Sequence, residues 1–403
     1  MFIMTEHPRK GKCGVPVYIW LPSISEVEEG CLDQAFHLSK LPFAMNRIVL
    51  MPDTHQGFGM PIGGVLASKG MVIPNAVGVD IGCGIAFRRS NLKASSLGEL
   101  ALKAYIEKVM KAVPQGFSHH KENKTCRALD EFYKQHQEER KHPVLWQELS
   151  RGYKQIGTLG GGNHFIEFQE DDEGYLCFMV HSGSRNFGYQ VAKYFNSIAK
   201  KNRKKWESDV PSEYDLDFLP EETEECHSYL NWMNLARDFA RENRAAMMNE
   251  VWRIFEKQHT GTKMLLDIDV HHNDVNRECH ENQWVWVHRK GAIRAAAGEL
   301  AVIPGAMGRH SYLVRGLGNK LAFESCSHGA GRVMSRKEAI HRFSPDTVMK
   351  ELDQSGVLLG KTKLRDIGEE APMAYKNIEF VMDQQNDLIQ IMNQLTGKAV
   401  MKG

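Results

Sequence analysis

RIVLMPDTHQGFGMPIGGVLASKGMVIPNAVGVDIGCGIAFR, residues 47–88, breaks into short apolar runs (RIVLM, GGVLA, MVIP, and the run closing on GIAF) separated by Gly, Pro and Asp turns. Runs this short, bounded by such residues, are strands rather than helices. The same texture returns at 155–189 (IGTLGGGNHFIEF, YLCFMVHSGS) and at 263–335 (MLLDIDVHH, WVWVHRKGAI, ELAVIPG, YLVRG, CSHGAGR). Between these blocks the pattern turns helical at 96–113, 340–354 and 377–396. The longest helix is expected over 226–258, where Leu230, Met233, Ala236, Phe239, Ala240, Met247, Val251, Ile254 and Phe255 recur near a 3.6 period, as a core-facing stripe does. No internal repeat or low-complexity linker divides the chain. The expectation is an α+β fold, one complex unit of mixed β-sheets surrounded by helices over residues 1–403.

Composition narrows the function classes. The 403 residues are 42% hydrophobic and 25% charged, the make-up of an ordinary globular enzyme with chain enough for a large core. With 51 Lys and Arg against 50 Asp and Glu, the net charge of +1 argues against a histone-like or tail-type nucleic-acid binder. A local basic groove stays open, because binding depends on where charge sits. The segment AKKNRKK (199–205) is one candidate for salt-dependent RNA affinity, a solvated loop being the plainer reading; 119–142 and the acidic 213–225 read as solvated loops or helix faces. No apolar run reaches the roughly 18 residues of a membrane span, and MFIMTEHPRKGKCG lacks the apolar stretch of a signal peptide. A cytoplasmic protein without a membrane partner is therefore expected. The eight cysteines form no CxxC pair, so most are expected as buried thiols.

Five strings carry chemistry. In Val79-Asp80-Ile81-Gly82-Cys83-Gly84, glycines flank an Asp and a Cys three apart, and such a turn aims carboxylate and thiolate at one point. Carboxylate suits a hard divalent ion, whereas thiolate is softer and can bridge two metals. Gly160-Gly161-Gly162-Asn163-His164-Phe165-Ile166-Glu167 presents backbone N–H groups that suit phosphate, a candidate ligand in His164, and in Glu167 an acceptor for two hydrogen bonds from a purine edge. It is not a P-loop, since no GxxxxGK(S/T) occurs. His181-Ser182-Gly183-Ser184-Arg185 ends an apolar strand, and Arg185 beside the hydroxyls suits phosphate. In Asp267-Ile268-Asp269-Val270-His271-His272-Asn273, alternation puts His271 with the two aspartates and His272 on the other face. Alternation alone favours His271 as the site residue, unless the strand ends there. Ser327-His328-Gly329-Ala330-Gly331-Arg332 lets backbone approach the imidazole closely, with Arg332 as a phosphate-compatible fork. His328 could be a ligand, a general base or a nucleophile. Each histidine alone is more often structural. His164, His181, His272 and His328 at Gly-flanked strand ends, with Asp80 and Cys83, point jointly to a two-metal site.

These strings, in this order, resemble the RtcB family of RNA ligases. The resemblance runs from about Leu41 to the last residue, through MPDTHQGFGMPIGG (51–64), VGVDIGCG, LGGGNHFIE, HSGSR, HHN, IPGAMG, SHGAGRVMSR, PMAYK and Lys402-Gly403. It implies that His328 attacks the α-phosphorus of GTP to form a histidine–GMP phosphoramidate. Asp80, Cys83, His164, His181 and His272 resemble the ligands of two manganese ions, with Cys83 bridging; the family motif selects His272 over His271. Asn163, His164, Phe165, Ile166, Glu167, His272, Asn273, Pro304, Gly305, Ala306, Met307, Ser311, Gly329, Ala330, Gly331 and Lys402 resemble the GTP pocket, with Tyr375 a stacking partner for guanine. The implied substrates are RNA ends bearing a 3′-phosphate or 2′,3′-cyclic phosphate and a 5′-hydroxyl, with an archease-like activator in some lineages. Ala306 stands where the family commonly has Ser, removing one hydroxyl from the pocket, and the first 40 residues carry no motif. Two other classes compete: a metal-dependent phosphoesterase using the same cluster, with water as nucleophile, and a non-catalytic RNA-binding protein. The second is disfavoured because no RRM, KH or dsRBD signature is present. A nucleotidyl-lysine ligase is disfavoured because no KxDG occurs.

Overall fold

Apolar alternation between turns produces two large mixed sheets among the described residues, with two small two-stranded ones, Ala292–Arg294 with Ser325–Ser327 and Met71–Val72 with Leu219–Pro220. The computed structural model describes residues 1–361 and 363–403. The first sheet orders its strands Phe2–His7, Gly11–Ile19, Ala44–His55, Ile62–Ser68, Gln283–Lys290 and Asn273–His280. Only Gly11–Ile19 beside Ala44–His55 is parallel in it. The second runs Met264–His271, Gly84–Lys93, Tyr175–Ser182, Phe165–Asp171, Ile389–Lys402, Ser311–Gly316 and Leu300–Ile303, with Leu358–Gly360 parallel to Ile389–Lys402. Helices cover the outer faces, so the fold is α+β.

The long helix spans Glu224–Glu256, capped by the Thr223 hydroxyl, which accepts from the Cys226 N–H, with Glu224 and Glu225 in its first turn. Both features suit the partial positive charge of a helix N-terminus. One half of it, Trp232 to Phe239, packs among helices, and the other, Met247 to Phe255, packs on Phe178 and Val180 of the second sheet. Between these halves sits the fully buried Arg244. It pairs with Asp269 and donates to the Gly82 and Ser182 carbonyls at 2.7 and 3.0 Å. One guanidinium thus fastens the residue before Cys83 to the residue after His181.

Two expected helices come out differently. The 340–354 segment is two helices, Arg336–Arg342 and Pro345–Gln354, because Ser344 caps the second and Pro345 cannot continue the first. The 377–396 segment is helical only over Ile378–Asp383; Ile389–Lys402 is a strand pairing on both sides. Its apolar residues fit either period, and sheet pairing overrides local propensity. All eight cysteines are free thiols, seven of them buried. No described helix is long and apolar enough to cross a membrane.

Candidate metal centre and nucleotide cavity

The two sheets present their glycine-rich ends to a cavity of about 850 Å³, toward the upper end of the few hundred to a thousand Å³ that small-molecule sites occupy. Asp80 and Cys83 sit on the turn leading into Gly84–Lys93, His164 just before Phe165–Asp171, and His181 near the end of Tyr175–Ser182. Two donor groups form. Cys83, His181 and His272 offer atoms within 4.8 Å of one another, and so do Asp80, Cys83 and His164. Cys83 belongs to both. Its Sγ lies 3.3 Å from His181 Nε2 and 3.5 Å from His164 Nε2, and His164 Nε2 lies 3.2 Å from Asp80 Oδ2. Close approach requires a glycine here: a Cβ at Gly183 would meet the Asp80 carboxylate at 2.2 Å.

The donor set fits divalent metal. The Nδ1 atom of His181 faces the Asn163 carbonyl at 3.2 Å, which fixes the ring orientation and leaves Nε2 for coordination, while His164 Nδ1 lies between the Leu159 carbonyl at 3.1 Å and Arg185 Nη1 at 2.9 Å, with Nε2 turned to Asp80 and Cys83. His272 Nδ1 is buried with no hydrogen-bond partner among the described residues. Burial, with neighbouring histidines, drops His181 and His272 well below the usual histidine range, so both are neutral donors. Burial would raise Asp80, but His164, with Arg185 behind it, pulls its carboxyl down to about 2. Burial and then Asp80 push the Cys83 thiol up; a bound cation reverses that sense, since coordinating thiols are deprotonated.

His272 rather than His271 turns inward. Met264–His271 ends at His271, which pairs with Asp274 at 2.9 Å, while the His272 N–H bonds the Cys83 carbonyl and its ring comes within 5.4 Å of His181 and 4.7 Å of His328. Alternation does group His271 with Asp267 and Asp269, but that face pairs with Arg88 and Arg244. The site lies beyond the strand's end.

His328 is held by a residue that carried no assigned role in the sequence. Fully buried Asp53, on Ala44–His55, accepts from His328 Nδ1 at 2.7 Å and from the N–H groups of His328 and Gly329 at 3.0 and 3.3 Å. Burial alone would raise its carboxyl, but charge and hydrogen bonds from His328 hold it below the ordinary range. An ionised Asp53 keeps the proton on Nδ1, which leaves the Nε2 lone pair free. Gly331, at φ +75°, packs so that a Cβ would lie 2.1 Å from the Asp53 carbonyl.

The far wall carries a second network. Buried Glu370 accepts from Lys402 Nζ at 2.9 Å and the Tyr375 hydroxyl at 2.8 Å, with Arg332 at 3.5 Å. Of the expected nucleotide residues, Asn163, Phe165, Glu167, Asn273, Pro304 through Met307, Gly329 through Gly331, Tyr375 and Lys402 line the cavity. His164, Ile166 and Ser311 do not: His164 is buried with its ring against Asp80 and Cys83, Ile166 packs into the core on the opposite strand face, and the Ser311 hydroxyl braces the Gly305 N–H and Gln169. Arg332 lines the cavity, whereas Arg185 sits behind His164, its Nη1 2.9 Å from Nδ1. Glu370 and Arg336, whose guanidinium bonds Asn163, were not singled out in the sequence. Arg336 closes the quoted SHGAGRVMSR string, and that was its only available signal.

Two donor groups on one shared thiol, beside a nucleotide-sized cavity with Arg332 and Arg336 on its wall, define a candidate metalloenzyme of phosphate chemistry. The family described as "tRNA-splicing ligase RtcB" matches residues 34–403. RNA-splicing ligase RtcB of Escherichia coli K12 is 36% identical, over 96% of this chain and 97% of its own. The tRNA-splicing ligase RtcB of Pyrobaculum aerophilum is 31% identical, over 92% and 90%, and the RNA-splicing ligase RtcB of Mycobacterium tuberculosis 30%, over 92% and 100%. This chain belongs to the RtcB family of RNA ligases.

Proposed function

We propose that this chain joins RNA ends bearing a 3′-phosphate or 2′,3′-cyclic phosphate to 5′-hydroxyl ends, using GTP and two manganese ions, through guanylylated His328. The Asp53–His328 contact carries the reading. It presents an imidazole with one nitrogen locked and the other free beside the metal donors, the arrangement of an activated nucleophile. Nε2 attacks the α-phosphorus, the N–P bond forms as the bond to pyrophosphate breaks, and pyrophosphate leaves with the electron pair. The ring then bears positive charge, which the Asp53 carboxylate stabilises. Water opens a cyclic phosphate; the resulting 3′-phosphate oxygen attacks the guanylyl phosphorus and returns the imidazole. Last, the 5′ oxygen attacks the 3′ phosphorus, GMP leaves with the electron pair, and the hydroxyl proton passes to solvent.

Asp80, Cys83 and His164 would hold one manganese and Cys83, His181 and His272 the other, neutralising phosphate charge and orienting leaving groups. Glu167 reads the guanine edge, Tyr375 stacks on the base and Lys402 completes the pocket, while Arg332 grips phosphate. A cytoplasmic setting and an archease-like activator belong to the same reading.

Incubation with manganese and α-phosphate-labelled GTP tests it on wild type and His328→Ala. Acid-labile, alkali-stable label on the wild type alone is expected. If neither protein takes label although both bind manganese, a metal-dependent phosphoesterase replaces the ligase and His328 is not the nucleophile.

A further inference from the structure

Pro52 sits inside the long strand Ala44–His55 and brings no N–H to its ladder. Pairing with Ile62–Ser68 breaks there: Leu50 faces Gly64 and His55 faces Ile62, so Met51 to Thr54 stand opposite Gly63 alone. An irregularity of this kind re-aims side chains, and here Asp53 meets His328. The Pro52 and Thr54 carbonyls, on either side of Asp53, both accept from one donor, the Lys376 ammonium, at 3.1 and 2.6 Å. Within PMAYK, Tyr375 lines the nucleotide cavity and Lys376 does not.

The Asp53 carboxylate needs support. It is fully buried, and Oδ2 takes all three bonds from His328 and Gly329, while Oδ1 has no hydrogen-bond partner among the described residues. Gly63 closes over it: a Cβ there (φ +82°) would lie 3.0 Å from Oδ1. A buried charge persists only where something answers it. His55 does not, since its Nδ1 faces the Asp53 carbonyl at 3.0 Å and burial drops its pKa to about 4. The Cys31 thiol beside Thr54 is neutral as well, pushed up to about 12 by burial. Lys376 is left. Burial pulls its ammonium below the usual lysine range, and Asp53 leads the charges that oppose that pull.

Lys376 also holds the loop of the nucleophile. Its backbone N–H donates to the Gly331 carbonyl at 2.9 Å, and Gly331 packs closely on the Asp53 carbonyl. One residue thus clamps both sides of the Asp53–His328 contact, its side chain on the strand and its main chain on the loop. We infer that Lys376 is a positioning residue for His328, fixing the Pro52–Thr54 irregularity and supplying the countercharge that keeps Asp53 ionised beneath the ring. Its effect on guanylylation rests on the ligase reading; its effect on the Asp53–His328 hydrogen bond does not.

Two measurements separate those effects. In the full chain before metal or GTP is added, the downfield proton resonance of His328 Nδ1 is assigned by its loss in His328→Ala. It should move in Lys376→Met and keep its place in Lys376→Arg, which retains a charged donor. With manganese and labelled GTP, Lys376→Met should slow self-labelling about tenfold at saturating GTP, within what a small misplacement of reacting groups costs. The KM for GTP should stay near wild type, and Lys376→Arg should recover most of the rate. In an Asp53→Asn background the same Lys376→Met change should cost less than about twofold, because the partner through which it acts is gone. Equal losses in both backgrounds, a raised KM with an unchanged rate, or a resonance that stays put in Lys376→Met overturns the inference. Should Lys376→Met fail to fold, Lys376→Gln, which keeps a donor without charge, is held to the same outcomes. No labelling even of wild type, with the resonance still sensitive to Lys376, fails the ligase reading and leaves the positioning role standing.

Discussion

The cavity wall and the AKKNRKK segment are both dense in charge, yet the two handle it in opposite ways. On the wall, Glu370 and Lys402 are buried and answer one another at 2.9 Å, and buried Asp53 stands behind His328. In 199–205, Lys200 and Lys205 are about half exposed and meet Asp215 and Glu225 from the acidic segment at 2.6 and 2.8 Å, and Arg203 pairs with Asp217. Exposed pairs contribute at most about 1 kcal/mol, whereas removing one partner of a buried pair costs roughly 3–5 kcal/mol. Charge density in a sequence therefore says little about function; burial decides which charges are held ready for a ligand and which are neutralised by their own chain.

The comparison breaks first at Asp53. Asp53→Asn keeps the shape but removes the charge that fixes the His328 tautomer and that, on the proposed mechanism, would stabilise the guanylylated ring. Self-labelling should slow by about 10²-fold or more, in line with losses at groups that orient a reacting imidazole or a ligand. A rate within threefold of wild type, by rapid quench with labelled GTP, would show that Asp53 only packs against the ring.

Glu167 gives a smaller effect with a defined sign. Burial pushes its carboxyl up to about 8, with Gln169 and Lys402 pulling the other way. The free protein at neutral pH therefore carries Glu167 largely protonated, while a guanine edge donating two hydrogen bonds favours the ionised form. GTP affinity should rise with pH until about 8 and level off above it, by up to about tenfold per unit. The folded state also holds this proton more tightly than the unfolded chain does, so Glu167 subtracts stability as pH rises from its ordinary value through 8. Calorimetric titration across that range should show the slope in wild type and a flat profile in Glu167→Gln. A slope that persists in the variant belongs to another group.

What the sequence shows of this wall follows from local geometry. Glycine-flanked strand ends announce residues held close to something; Asp80, Cys83, His164, His181 and His328 lie in such strings and gather in space, joined by His272 at the end of a strand with no glycine beside it. Strings do not tell which members face the cavity, so Ile166 and Ser311 travel with their neighbours yet point elsewhere. Nor do they show partners: Asp53 meets His328 across 275 residues, a contact made by sheet assembly. The strand Ile389–Lys402 is hidden for the same reason, because the three strands it pairs with, not its own periodicity, set its conformation.

The smallest expected effect concerns the basic segment, and there the residues divide. Lys200, Arg203 and Lys205 are neutralised by Asp215, Asp217 and Glu225, so changing them to Gln should leave the salt slope of RNA binding unmoved. Lys201 and Lys204 form no ion pair among the described residues, and each could contribute about 0.7 to a single-strand slope. Arg203 differs again. Asp217, 2% exposed at its side chain, loses its guanidinium partner in Arg203→Gln. That variant should lose on the order of 1–3 kcal/mol of stability, the desolvation cost of an unanswered buried acceptor, with RNA affinity unchanged. Denaturant midpoints and binding isotherms at several salt concentrations separate these outcomes. If neutralising all five basic residues lowers the slope by more than two contacts' worth, the ion pairs open when RNA arrives. The segment would then belong with the cavity wall as a binding surface rather than stand against it.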